Sequence, residues 1–347
     1  MTFVSDLLAS VSRRSRELIG LKAVEAPPRH AADVTALART LLSRRGEASG
    51  TAVARAILDA YRLLDAPGRL AVLRDLSGGF GADRARLDAA IAAYQADPSP
   101  ACAATLHAAA EPRRQELIRR LNLAPRGTLD LVRLRDDLLA HLPDNPDLKV
   151  LDDDLVHLFS SWFNRGFLVV RRIDWSTPAN ILEKIIRYEA VHEIRDWDDL
   201  RRRLQPEDRR CYAFFHPALV DEPLIFVEVA LTREIPSAID PILAIKREPL
   251  DPARATTATF YSISNCQRGL AGVSFGNFLI KQVVEEVSRE FTRRQGLANT
   301  LDEPPALAGD VPGGTMGPIV WLEPVEDEAL RARLWQRIVS GDRPNRF

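Results

Sequence analysis

The chain has 347 residues, 46% of them hydrophobic and 27% charged, with 47 Lys and Arg against 48 Asp and Glu and a formal net charge of −1. That length exceeds what one growing core supports, so two domains are expected. The near-neutral balance excludes a nucleic-acid or membrane partner driven by overall charge.

Three separated cysteines, Cys102, Cys211 and Cys266, form no C-x-x-C pair, which excludes a recognisable zinc site and a disulfide framework. A reducing, cytoplasmic setting is expected. The start, Met1 to Ser10, lacks the apolar core and cleavage site of a signal peptide, and no stretch reaches membrane-spanning length.

From about Ala31 to Leu142 the chain reads as successive amphipathic helices, with Leu37, Leu41, Val53, Ile57, Tyr61, Leu64, Leu87, Ile91 and Tyr94 at helical spacing. Breaks fall at Asp65-Ala-Pro-Gly68, Ser77-Gly-Gly79 and Asp97-Pro-Ser-Pro100. His107 and His141 read as surface or packing residues. No catalytic constellation occurs here, and such a domain serves packing or self-association.

His141-Leu-Pro-Asp-Asn-Pro-Asp147 interrupts the pattern, which divides the chain into an all-α domain, 1–147, and a second domain, 148–347. A helix with Phe159, Trp162 and Phe163 precedes the strand-like Phe167 to Val170. Ser176-Thr-Pro178 places a capping hydroxyl and a first-turn proline ahead of a helix carrying Ile181, Leu182, Ile185 and Ile186. The Arg-rich run from Leu200 to Leu204 reads as a solvated helix face, with the entrance for an anionic ligand as the alternative. Tyr212 to Phe215 and Leu224 to Leu231 read as a hairpin through Asp221-Glu-Pro223, and Thr256 to Ser264 as a further strand. The second domain is therefore α/β, with helices flanking a mixed sheet.

That last strand runs into Ser262-Ile-Ser-Asn-Cys-Gln-Arg-Gly-Leu-Ala-Gly-Val273, followed by Gly276-Asn-Phe-Leu-Ile-Lys281. Glycines between a strand and a helix leave backbone N–H groups free at a helix start, where they and the helix dipole suit a pyrophosphate. Alone, the pattern also fits an ordinary β-to-α turn.

The block closely resembles the corresponding segment of malonyl-CoA decarboxylases. So, in the same order, do Tyr188-Glu-Ala-Val-His192, Cys211-Tyr-Ala-Phe-Phe-His-Pro217, Glu222 to Thr232 and Glu234-Ile-Pro-Ser-Ala-Ile239, together covering roughly 150–290. The resemblance implies an acetyltransferase-like catalytic domain, a helical domain that joins subunits, and conversion of malonyl-CoA to acetyl-CoA and CO2. Coenzyme A enters as part of the substrate, and no metal or organic cofactor is required. By the same resemblance Ser264 is catalytic, with Ser262 a weaker candidate. Ser237, Ala238 and Ile239 meet the malonyl group, and Gln267, Gly269, Leu270, Gly272 and Val273 bind coenzyme A through backbone N–H groups.

From about residue 292 the resemblance is expected to fail. The family's Thr-Leu-Ser-Pro-x-Pro-Gly-Phe and Asn-Pro-Val-Ala-Asn-Phe-His phrases, the latter carrying its histidine acid, do not occur, which points to a truncated or altered tail and leaves turnover in doubt. Of His30, His157, His192 and His216, weighed as replacements, His216 reads as a strand-end packing residue. A helix is expected from Asp327 to Gly341. The same cradle also admits an acyl-CoA-dependent N-acetyltransferase or a silent coenzyme A-binding protein.

Overall fold

A computed structural model describes residues 30–43, 47–273, 278–294 and 319–321. The expected helix from Asp327 and the cradle residue Gly276 lie outside these. The chain divides into two compact units, one of residues 1–162 with 268–273, the other of 163–267 with 274–347.

The first unit is helical: α1 (Ala31–Ser43), α2 (Glu47–Leu63), α3 (Ala66–Gly79), α4 (Arg84–Ala96), α5 (Pro100–Ala110), α6 (Arg113–Asn122), α7 (Gly127–His141) and α8 (Lys149–Trp162). Two of the turn signals act as start signals: Asp65 and Ser99 each cap the helix that follows by accepting a backbone N–H, and Asp83, outside the expected breaks, caps α4 in the same way. Leu41, Val53, Ile57, Tyr61 and Leu64 are buried as the spacing predicts, but Ile91 and Tyr94 are exposed. The reason is local: α4 and α5 pack on each other, and each buries only one alanine, Ala90 and Ala109. The segment expected to divide the chain forms two short 3-10 turns, Leu142–Asp144 and Pro146–Leu148, and the helical unit continues through Trp162. Leu148, Leu155 and Phe159, all 0% exposed, explain why α8 stays with it.

The second unit holds β1 (Val169–Ile173), α9 (Ala179–Tyr188), α10 (Trp197–Leu204), β2 (Arg209–Phe215), β3 (Pro223–Thr232), the short α11 (Asp240–Leu243), β4 (Thr257–Asn265), α12 (Phe278–Arg294) and β5 (Ile319–Trp321). Strand order is sequential, β1 to β5; the first three pairings are antiparallel, and β5 runs parallel to β4. One sheet face carries Cys211, Ala213 and Phe226, covered by Ile181, Leu182, Ile185, Leu200 and Leu204 of α9 and α10. Arg210, one residue out of phase with Cys211, bonds Glu290 of α12 at 2.6 and 2.7 Å, which places α12 on the opposite face.

The expected serine cap of α9 is displaced. Pro178 holds the N-cap position without a side-chain bond, while the Ser176 hydroxyl donates to Asp174. Among the described residues no helix is long and apolar enough to cross a membrane.

Candidate active site

A register shift between Glu228 and Val229 sets the geometry of the central strands: Ser262 stands opposite Glu228 and Phe260 opposite Val229, so Tyr261 is the extra residue. Such a bulge breaks the strict alternation of a strand. Tyr261 thereby packs with Ala230 and Ile242, on the face that also presents Glu228, Ser262 and Ser264.

Above that face, α9 ends at Tyr188 and the chain turns at Glu189. The Glu189 Oε1 atom accepts the backbone N–H groups of Val191 and His192 at 2.8 and 2.7 Å, which bends the loop back over the sheet. Both Glu189 oxygens accept the Ser262 hydroxyl at 2.9 Å. The Ala190 N–H, held by the same turn, donates to Ser264 Oγ at 3.2 Å, and the two serine oxygens are 3.5 Å apart. Ser264 is 1% exposed. Ser264, expected from the resemblance to be catalytic, is therefore buried, because the 189–192 loop lies over it.

Beside this group is an ion pair sunk in the core. Glu228 is 0% exposed and accepts from Arg203 of α10 at 3.1 Å. Burial raises the Glu228 carboxyl to about 7; Arg203 opposes that rise and Glu189 adds to it. Arg203 also donates to the Glu193 carbonyl at 2.9 Å, so one residue of the supposed solvated face anchors the 189–196 loop. His192 Nε2 is shielded and bonds to none of the described residues, and burial lowers its pKa. A cavity of about 90 Å³ is lined by Arg202, Arg203, Arg209, Arg247 and Tyr261. Its arginines are engaged: Arg247 forks onto Asp208 at 2.6 and 2.9 Å, and Arg209 bonds the Ile242 carbonyl at 2.7 Å.

The remaining predicted residues are dispersed. Ser237 and Ala238 are exposed on the loop before α11, and Ile239 packs against the Tyr261 cluster. The Gln267 amide donates to the Pro223 carbonyl at 3.0 Å. Within the helical unit, Arg268–Leu270 forms a 3-10 turn with Gly269 and Leu270 buried. A Cβ on Gly269 would stand 1.9 Å from the Val132 carbonyl oxygen, so close packing accounts for that glycine. Gly272 has φ +78°, which accounts for the other. The Val273 N–H donates to the Leu270 carbonyl at 3.0 Å inside the turn and is not a free phosphate donor.

His216 is a packing residue as expected: its ring lies 4.9 Å from that of Phe163, and its Nδ1 accepts the Ala218 N–H. Cys266 and Cys211 are buried, and burial pushes both thiols up. The sequence reading passed over Glu189 and Glu228 as functional residues. A lone Glu inside Leu-Ile-Phe-Val-Glu-Val-Ala-Leu was a usable signal, since a charge in an apolar strand demands a partner.

Comparison with known proteins agrees with this architecture. The malonyl-CoA decarboxylase N-terminal domain model matches residues 80–163, and the C-terminal domain model matches 166–322. The likeness thus continues past residue 291, where it was expected to stop. The malonyl-CoA decarboxylase of Rhodopseudomonas palustris superposes with a TM-score of 0.74 at 56% identity, covering 82% of this chain and 72% of that one. That of Agrobacterium vitis gives 0.71 at 61% identity, covering 74% and 63%. The goose mitochondrial enzyme is 42% identical over 194 residues, 54% of this chain and 38% of its own. The chain thus spans less than half the length of that relative. With the helical and sheet units each matched in order, the chain belongs to the malonyl-CoA decarboxylase family.

Proposed function

We propose that this protein converts malonyl-CoA to acetyl-CoA and CO2, with Ser264 as the residue that meets the thioester. The observation that carries this reading is the 56% identity to the R. palustris malonyl-CoA decarboxylase across 82% of the chain. The chemistry is undemanding in covalent terms. The bond from the α-carbon to the carboxylate breaks, its electron pair enters the thioester as an enolate, CO2 leaves, and a proton from solvent water adds to carbon. The thioester is itself the electron sink, so the proposed step needs no metal or organic cofactor.

A donor aimed at the developing enolate oxygen is what such a reaction requires. Ser264 suits that role. Its oxygen is held by the Ala190 N–H at 3.2 Å, which leaves its proton to be directed at substrate. Ser237, Ala238 and Ile239 are the proposed malonyl contacts. By resemblance, Gln267, Gly269, Leu270 and Gly272 are those for coenzyme A. Self-association through the helical unit and a cytoplasmic location complete the reading.

The test is CO2 and acetyl-CoA release from malonyl-CoA by the purified chain and by Ser264→Ala. We expect the substitution to lower kcat about 100-fold or more, the scale of losing an oxyanion donor, with calorimetric coenzyme A affinity little changed. Equal turnover by Ser264→Ala, or amine acetylation without CO2 release, refutes the assignment.

A further inference from the structure

Resting on the coenzyme A contacts proposed above, we infer that Arg135 of the helical unit is a positioning residue for the pyrophosphate of coenzyme A, holding the 268–273 turn so that its Gly272 N–H faces outward.

Two donors of the turn are spent within it. The Ala271 N–H donates to the Arg268 carbonyl at 2.9 Å, and the Val273 N–H to the Leu270 carbonyl at 3.0 Å. Gly272 differs. Its N–H bonds to none of the described residues, and Ala271 and Gly272 are both exposed. A Cβ built on Gly272 would meet nothing within 4 Å, so no side chain stands between this backbone and an arriving anion.

The direction of that N–H is set from beneath. Arg135 Nη1 donates to the Gly269 and Ala271 carbonyls at 2.8 and 2.7 Å, and its Nε donates to Asp152 Oδ1 at 2.8 Å. Arg135 is 2% exposed and Asp152 is buried, so these charge-assisted bonds are shielded from water. The peptide joining 271 to 272 is trans, and in a planar trans peptide the N–H points opposite to the carbonyl. Drawing the Ala271 oxygen onto the buried guanidinium therefore turns the Gly272 N–H out toward solvent. The same cation polarises the peptide and strengthens its N–H as a donor to phosphate oxygens, which can only accept. The turn is also tied to α7 by Arg268 and Asp136 at 3.2 Å, but their side chains are 65% and 46% exposed, a setting in which an ion pair holds little. Arg135 is the anchor, and the helical unit thereby reaches into ligand binding.

The test pairs Arg135→Met with Asp152→Leu, because replacing both members of a buried ion pair strands no charge. Coenzyme A and pantetheine, which lacks the pyrophosphate, are titrated calorimetrically into the full chain and the double variant. We expect the Kd of coenzyme A to rise about 10- to 50-fold, the scale of losing a hydrogen bond to a charged group, with that of pantetheine within about 2-fold.

A loss confined to coenzyme A supports the inference, since a merely structural role weakens both ligands. Unchanged coenzyme A affinity overturns it, as does an equal loss for the two ligands. Should the double variant fail to fold by circular dichroism, Arg135→Lys decides. Its smaller, non-planar ammonium keeps the charge beside Asp152 but not the fork, so a loss of about 3-fold or more for coenzyme A alone supports the inference and no loss overturns it. Tight coenzyme A binding by the unsubstituted chain with no selective loss in either variant removes this inference alone. Coenzyme A binding no tighter than pantetheine in the unsubstituted chain removes the coenzyme A contacts with it.

Discussion

Gly269→Ala isolates the packing role of the glycine turn. The added methyl carbon would stand 1.9 Å from the Val132 carbonyl oxygen and 2.8 Å from its carbon. Ordinary contact begins near 3.4 Å, so one backbone must move by more than an ångström. Val132 is in the middle of α7 and buried, and its carbonyl belongs to the helix ladder, so the turn is the part that yields. Arg135 then loses its hold: its Nη1 donates to the Gly269 and Ala271 carbonyls at 2.8 and 2.7 Å, from a side chain 2% exposed. Overpacking costs about 1–3 kcal/mol, and a buried guanidinium donor left unpaired about 1–3 kcal/mol more. The expected destabilisation is about 2–6 kcal/mol. Urea unfolding followed by far-UV circular dichroism measures it, with the midpoint of the helical signal as the readout. A loss below about 1 kcal/mol would refute the packing explanation and return Gly269 to a purely ligand-facing role.

The Glu228 carboxyl, raised from 4.5 to about 7 by burial, keeps its proton in the folded state where the unfolded chain has lost it. Its contribution to stability is therefore present below about 4.5 and lost as pH rises through about 7, a difference on the order of 3 kcal/mol. Urea midpoints across that window should decline in the unsubstituted chain and lose part of that slope in Glu228→Gln; an unaltered slope contradicts the assignment. Thiol titration under native conditions should find Cys102 alone reactive, since Cys211 and Cys266 are buried with raised pKa values. Fast labelling of three thiols would show that the sheet face opens readily. Arg203→Met, which strands Glu228 and frees the Glu193 carbonyl, should cost about 3–5 kcal/mol in the same unfolding assay. A loss under 1 kcal/mol would mean that the pair contributes little.

Much of this protein was legible in its sequence because its signals are local. The turn signals that hold the caps Asp65 and Ser99 act within three residues, and helical and strand periodicities are properties of short windows. Those fixed the division into helical and sheet parts, the hairpin and the strand ending beside Ser264. Quoted phrases carried the family, since they recur in order along the chain.

Tertiary structure decided the rest, where the physical cause joins residues far apart in the chain. Ile91 and Tyr94 had the spacing of a buried face but no partner to bury them beyond α5. Gly269 reads as a phosphate glycine until the Val132 carbonyl is found against it. Arg203 reads as a surface charge until Glu228, 25 residues on, is found beneath it. The Glu189, Ser262 and Ser264 constellation spans more than seventy residues and depends on a one-residue bulge at Tyr261. Periodicity cannot report a bulge, because the extra residue reverses the alternation from which a strand's faces are read.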